Sequence, residues 1–146
     1  MRATQQLKYA LYGVFDLAYH GGDRPVRIQE IGARQNIPAR YLEQIFQKLR
    51  RAGLVASKRG PGGGYVLARP AEAIRLSDVI VAVQGSVLRE PSPSEGSIEP
   101  ATAFVWEELR GALHGVLARR SVAELCSEAA RRGVKRLGTE PASYDI

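Results

Sequence analysis

The sequence predicts a mainly α-helical fold carrying one small β-hairpin, with a further long helix beyond it. Three observations carry this. Leu42, Ile45, Phe46 and Leu49 recur at i, i+3, i+4 and i+7, the spacing of one apolar stripe on a helix. Directly behind them, Leu54–Arg59 and Tyr65–Ala68 are strand-like runs joined by Gly60-Pro61-Gly62-Gly63-Gly64. From Ala101 to Arg119 a second apolar pattern persists over one long helix, on the order of 28 Å at 1.5 Å per residue.

The elements follow in order. Leu7, Ala10, Leu11, Val14, Leu17 and Ala18 share a helical face, Thr4 stands at the expected N-cap, and Gly21-Gly22 ends the run. Tyr9, Tyr12, Phe15 and Tyr19 add aromatic bulk, read as core packing rather than a cofactor pocket. Asp23-Arg24-Pro25 turns into a short helix, Ile28–Arg34, with Ile28 and Ile31 inward. Gln35-Asn36-Ile37 is a tight turn in which Asn36 suits a left-handed conformation. Pro38 is expected in the first turn of the next helix, where its missing N–H is harmless. Gly53 closes that helix as a left-handed cap. A short helix, a tight turn and a longer polar helix have helix-turn-helix spacing, and the basic hairpin behind them has the place of a wing. Leu76, Val79, Ile80 and Val83 form a supporting helix closed by Gly85.

Composition bounds the function. The chain has 146 residues, 45% of them hydrophobic, enough for a domain with a real core. No apolar run approaches the ~18–20 residues of a membrane span, and Met1–Gln6 lacks the plan of a signal peptide. A cytoplasmic protein with no membrane partner is expected. The single cysteine, Cys126, excludes an internal disulfide and a multi-cysteine zinc site. Residues 1–70 hold 12 Lys/Arg against 4 Asp/Glu, whereas residues 71–146 hold 9 against 11. The first half therefore suits a polyanion, although a basic surface alone is also ordinary solvation. No Ser/His/Asp, Cys/His or paired-carboxylate set stands out, and His20 and His114 lie at unrelated places. Neither an enzyme, a metal site nor a cofactor is expected. Gly60–Gly64 lacks the Gly-Lys-Ser/Thr ending and the following helix of a nucleotide-binding loop.

The polar face of the longer helix has chemistry suited to double-stranded DNA. The start of a recognition helix meets base edges in the major groove. There Arg40 can donate bidentately to guanine, Gln44 can donate and accept at adenine, and Tyr41 can touch a phosphate or a thymine methyl. Glu43 can read a cytosine amino group or orient Arg40. Lys48, Arg50 and Arg51 suit phosphates, which position without specifying, and Lys8 is close enough to the first helix's start to reach one. Lys58 and Arg59 at the wing tip suit the neighbouring minor groove, and Gly60, Gly62 and Gly63 let the wing backbone approach the sugar-phosphate chain.

Arg2–Leu17, Ile31 with Ala33, Tyr41-Leu42-Glu43-Gln44, Leu49–Val55, and Arg59-Gly60-Pro61-Gly62-Gly63-Gly64-Tyr65 with Leu67–Pro70 together resemble the IscR/NsrR/CymR-type (Rrf) family of bacterial winged helix-turn-helix transcription regulators. The resemblance continues through Ile74–Gly85 and the helix around Trp106, and the wing motif is highly specific. It implies a homodimeric regulator, usually a repressor, on a palindromic operator. In cluster-binding members the segment before the tryptophan supplies three cysteines. Here residues 86–100 hold none, and the last of those positions falls on Pro100. A three-cysteine iron–sulfur site cannot form without its thiolates. Cys126 is read as a buried structural cysteine.

Four segments are expected: a winged DNA-binding domain at 1–85, a flexible Pro/Ser-rich loop at 86–100, a dimerisation helix with a short final helix at 101–137, and a frayed tail at 138–146. Val105, Leu109, Ala112, Leu113, Val116 and Leu117 line one side of the long helix, with Trp106 as an anchor. A winged domain has little surface left to cover them, so Trp106, Leu109, Leu113, Val116 and Leu117 are expected at a homodimer interface. The alternative is that this helix folds back on the chain's own first helix. Ser121 with Glu124 makes a capping box for the final helix. An effector, if used, is a small molecule, a partner protein or a redox event at Cys126. A winged-helix protein-interaction module is the alternative function, disfavoured by the basic first half.

Overall fold

A computed structural model of the chain describes residues 2–88 and 99–137. The expected tail at 138–146 lies outside the described residues, as do residues 89–98 of the expected loop.

The first helix is the hub. Helix α1 (Ala3–Gly21) packs against α2 (Ile28–Gln35), α3 (Ala39–Arg51), α4 (Leu76–Gln84) and α6 (Val122–Arg131), and against the second strand of the hairpin. Its predicted stripe buries Ala10, Val14 and Leu17, but Gly13, Asp16 and His20 are buried on an adjoining face as well. A helix enclosed by so many neighbours buries more than one stripe. Thr4 is not the N-cap. Arg2 takes that position in an extended conformation, its carbonyl accepting the Gln6 N–H at 2.9 Å, so Thr4 already lies within the first turn.

The turn between α2 and α3 follows its sequence. Asn36 is left-handed at φ 57°, ψ 48°. Pro38 stands one position earlier than expected, at the N-cap, with ψ at 130° and its carbonyl accepting the Tyr41 N–H at 3.1 Å. The α3 stripe of Leu42, Ile45, Phe46 and Leu49 is fully buried.

The hairpin pairs β1 (Val55–Lys58) antiparallel with β2 (Gly64–Leu67), Lys58 lying opposite Gly64. One further residue joins it that no strand pattern announced. Val26 exchanges both backbone bonds with Tyr65, at 2.9 and 2.7 Å. Gly64 makes this approach possible: at φ 151° a Cβ there would lie 2.5 Å from the Val26 backbone. The Tyr65 ring meets Phe46 edge-on, with centroids 5.0 Å apart. The wing is thus fastened both to the segment before α2 and to the buried side of α3.

The long helix α5 (Phe104–Ala118) begins three residues later than expected, after a turn in which Ala103 N–H donates to Pro100 O at 3.0 Å. It packs on α4. Its successor α6 returns to the main core, where Val122 and Cys126 are buried. The Val122 N–H donates to Ile74 O at 2.8 Å, and the Ser121 hydroxyl accepts the Glu124 N–H at 3.2 Å, as an N-cap should.

After α6, residues 134–137 run back over the end of α1. The Tyr19 hydroxyl donates to the Val134 carbonyl, the Leu137 N–H donates to His20 Nδ1 at 2.9 Å, and the Arg136 guanidinium lies 4.9 Å from the Tyr19 ring centre. Burial above all holds His20 below its ordinary pKa; nearby Asp16 opposes this, while Arg34 and Arg136 reinforce it. Below about pH 6.5 the unfolded chain therefore binds a proton that the folded chain resists, so stability falls as pH falls through that range. The thermal midpoint is expected to drop between about pH 7.5 and about pH 5.5, and His20→Gln to flatten that part of the profile. An unchanged slope in the variant would assign the pH dependence to other groups.

Candidate nucleic-acid interface

Burial of one α3 stripe turns the opposite face outward. Arg40, Glu43, Gln44 and Arg51 are exposed there, and Tyr41 is half-buried. The first turn of α3 holds no acidic residue. It presents Arg40 where the helix dipole disfavours a cation, so local helix energetics do not account for this arginine. Arg40 Nη2 donates to the Tyr41 hydroxyl at 3.1 Å, with the guanidinium 4.8 Å from that ring's centre.

The wing tip is presented alongside. Lys58, Arg59, Gly60 and Gly62 are exposed, and Gly63 donates its N–H to Gly60 O at 2.8 Å to close the turn. A concavity of about 460 Å³ joins the two elements, lined by Glu43 from α3, by Lys58, Gly60 and Gly63 from the wing, and by Arg27 and Gln29 at the start of α2. Arg27 and Gln29 were not singled out in the sequence. Their only signal is that they flank inward-facing Ile28. Lys8 is exposed on α1 and shares a second hollow, of about 990 Å³, with Tyr9, Tyr12 and Tyr41.

Lys48 stands apart from this group. It is half-buried, and its Nζ donates to the Val83 carbonyl at the end of α4, 3.3 Å away. That cation satisfies a helix C-terminus. Arg50 reaches toward Ser57 Oγ at 3.5 Å, on the first strand of the wing.

The α5 helix has no buried residue in the chain as described. Phe104 is 58% exposed and Val116 53%, with Val105, Leu109 and Leu113 also exposed. Trp106 and Leu117 are half-buried, Leu117 against the chain's own core.

Comparison with known proteins gives a consistent result. Residues 3–128 match the model of the Rrf2 family, described as "Iron-dependent Transcriptional regulator". The chain is 40% identical over 129 residues to the HTH-type transcriptional regulator IscR of Photobacterium profundum, covering 86% of this chain and 75% of that protein. It is also 40% identical to IscR of Yersinia enterocolitica, over 86% of this chain and 79% of that one. Among solved structures, IscR of T. potens superposes with a TM-score of 0.74 at 32% identity, covering 92% of this chain and 93% of that chain. CymR, the global cysteine regulator of B. subtilis, superposes with a TM-score of 0.71 at 33% identity, covering 88% and 98%. These neighbours match the arrangement, among the described residues, of six α-helices with a two-stranded antiparallel hairpin.

The donor set does not fit an iron–sulfur cluster held by three cysteines. The chain has one cysteine, and burial beside the core pushes its thiol pKa up, away from the thiolate that binds metal. Among the described residues no three His, Cys, Asp or Glu side chains converge. Among them, too, no helix is long and apolar enough to cross a membrane.

Proposed function

Because this chain belongs to the Rrf2 family of transcriptional regulators, DNA-binding proteins and not enzymes, we propose that it acts as a homodimeric repressor on a palindromic operator. The observation that supports the reading is the concavity lined by Glu43 of α3 and by Lys58, Gly60 and Gly63 of the wing, which brings the outward side of α3 beside a cationic hairpin tip. In this reading α3 enters the major groove, with Arg40, Glu43 and Gln44 at base edges and Tyr41 and Arg51 at the backbone. Lys58 and Arg59 lie over the adjacent minor groove, with Gly60, Gly62 and Gly63 allowing close approach. Lys8 holds a flanking phosphate. Lys48 contributes by bracing α3 against α4.

Residues 1–85 form the DNA-binding unit, and within 101–137 it is α5 that recruits the second subunit. The two-fold axis then sets the symmetry of the operator. A cytoplasmic site of action and an effector other than a three-cysteine cluster, a small molecule or a partner protein, complete the proposal.

A gel-shift on the DNA upstream of the protein's own gene, against a scrambled duplex, tests it across a salt series around ~0.15 M. Tight, salt-sensitive binding that prefers the upstream DNA is expected. Arg59→Ala is expected to weaken binding to all sequences or to those with a narrow minor groove. Arg40→Ala and Gln44→Ala are expected to relax preference at particular bases, by about 1–3 kcal/mol each. Variants that leave both affinity and preference unchanged would refute this docking.

A further inference from the structure

We propose that Tyr9, on α1, is a positioning residue for base reading: its ring backs Tyr41 and thereby fixes the Arg40 guanidinium at the entry of α3. The proposal rests on the reading of α3 as the helix that enters the major groove.

The contacts form a continuous relay from one helix to the other. Gln5 Nε2 donates to the Tyr9 hydroxyl at 2.9 Å. The Tyr9 and Tyr41 rings stack at 6.1 Å with 22° between their planes. Tyr41 in turn holds Arg40 twice, through its hydroxyl at 3.1 Å and its ring at 4.8 Å. Tyr9 packs in part on the core, but it is only half-buried, its hydroxyl is bonded at an exposed site and its ring stacks on Tyr41 of α3, contacts that core packing alone does not require.

The physical need is clear. Arginine has many rotamers, and ordering it only on binding reduces both affinity and discrimination. A guanidinium held against an aromatic face before DNA arrives loses less freedom and presents its planar fork in one orientation. The dipole at the start of α3 does nothing to hold a cation there. The retaining contacts must come from side chains, and α1, being the central helix, is a rigid place from which to supply them.

The test is selection from a pool of duplexes randomised over two half-sites, with bound sequences counted for wild type, Arg40→Ala, Tyr9→Leu, Tyr9→Phe and the Arg40→Ala/Tyr9→Leu double variant. Circular dichroism sets a temperature at which all are folded. Tyr9→Leu keeps the apolar bulk and removes the aromatic face. It is expected to flatten the base preference at the position that Arg40→Ala flattens, by roughly two- to fivefold. The double variant is expected to be no flatter there than Arg40→Ala alone, and Tyr9→Phe to retain the preference. If Tyr9→Leu leaves that preference intact, or instead weakens all sequences equally with a shallower salt dependence, Tyr9 is a packing or phosphate residue and the proposal fails. If Arg40→Ala itself alters no base preference, the reading of α3 fails first and the positioning role falls with it.

Discussion

Asp16→Ala is expected to destabilise the fold by about 3–5 kcal/mol, the cost of breaking a buried ion pair by removing one partner. Asp16 is fully buried, and its carboxylate accepts from Arg34 Nε at 2.9 Å, from Arg34 Nη2 at 2.8 Å and from Gln35 Nε2 at 3.0 Å. The Arg34 side chain is only 16% exposed. This two-pronged pair joins α1 to the end of α2. The Asp16 carboxylate raises the pKa of Arg34 further, so the guanidinium stays charged. Removing the acid leaves a largely buried cation with only the longer contact to the more exposed Glu30 carboxylate, at 3.5 Å, so most of its desolvation is then uncompensated. Asp16→Leu combined with Arg34→Met is expected to recover most of the loss, because both charges leave together. Urea denaturation midpoints of the two variants check this. A single variant within about 1 kcal/mol of wild type would show that the pair does not hold the fold. Functional consequences follow from place. The end of α2 sets the turn into α3, so a loosened α2 is expected to lower DNA affinity even where the chain remains folded.

That pair also shows where sequence reading stops. The α3 stripe, the left-handed Asn36, the glycine-closed helix and the hairpin were all legible, because each is a local signal: a period, a turn residue, a run of glycines. Asp16 carried no such signal. Reading a single apolar stripe on α1 assumes one buried side, and only the tertiary arrangement reveals the second. Val26 escaped for a related reason, since one residue pairing with Tyr65 leaves no alternating pattern. Lys48 was assigned to phosphate from its charge and its place on α3. Its contact within the chain, with the Val83 carbonyl, comes from a helix 35 positions away and left no signal in the sequence. Tyr9 was read as core bulk and does pack against the core, but its additional stack on Tyr41 depends on how α1 crosses α3 and left no signal in the sequence. Composition and periodicity thus report faces and punctuation. They do not report which cation meets which oxygen across the core.

The α5 face is where a local signal and the tertiary structure point the same way, and it supports the second large prediction. Leu113→Glu is expected to convert the proposed dimer to monomer and to lower operator affinity by two or more orders of magnitude, because the second half-site contact is no longer intramolecular. Leu113 lies on a helix that packs on α4 yet leaves Phe104, Val105, Leu109 and Val116 exposed beside it. A contiguous apolar face of this kind is unfavourable in water unless a partner covers it. A second copy is the partner whose symmetry matches a two-headed operator. Leu113 is also the informative position. Leu117 packs on the chain's own core and Trp106 is half-buried, so a charge at either is expected to disturb the subunit itself. Glu108→Lys, which changes charge at an exposed polar position of the same helix, is the control and is expected to leave the assembly intact. Sedimentation equilibrium reads the mass, and a gel-shift on a single half-site reads DNA binding independently of dimerisation. Loss of the dimer with half-site binding preserved is the expected pair of results. A Leu113→Glu chain that stays dimeric and binds the full operator undiminished would move the subunit interface away from α5.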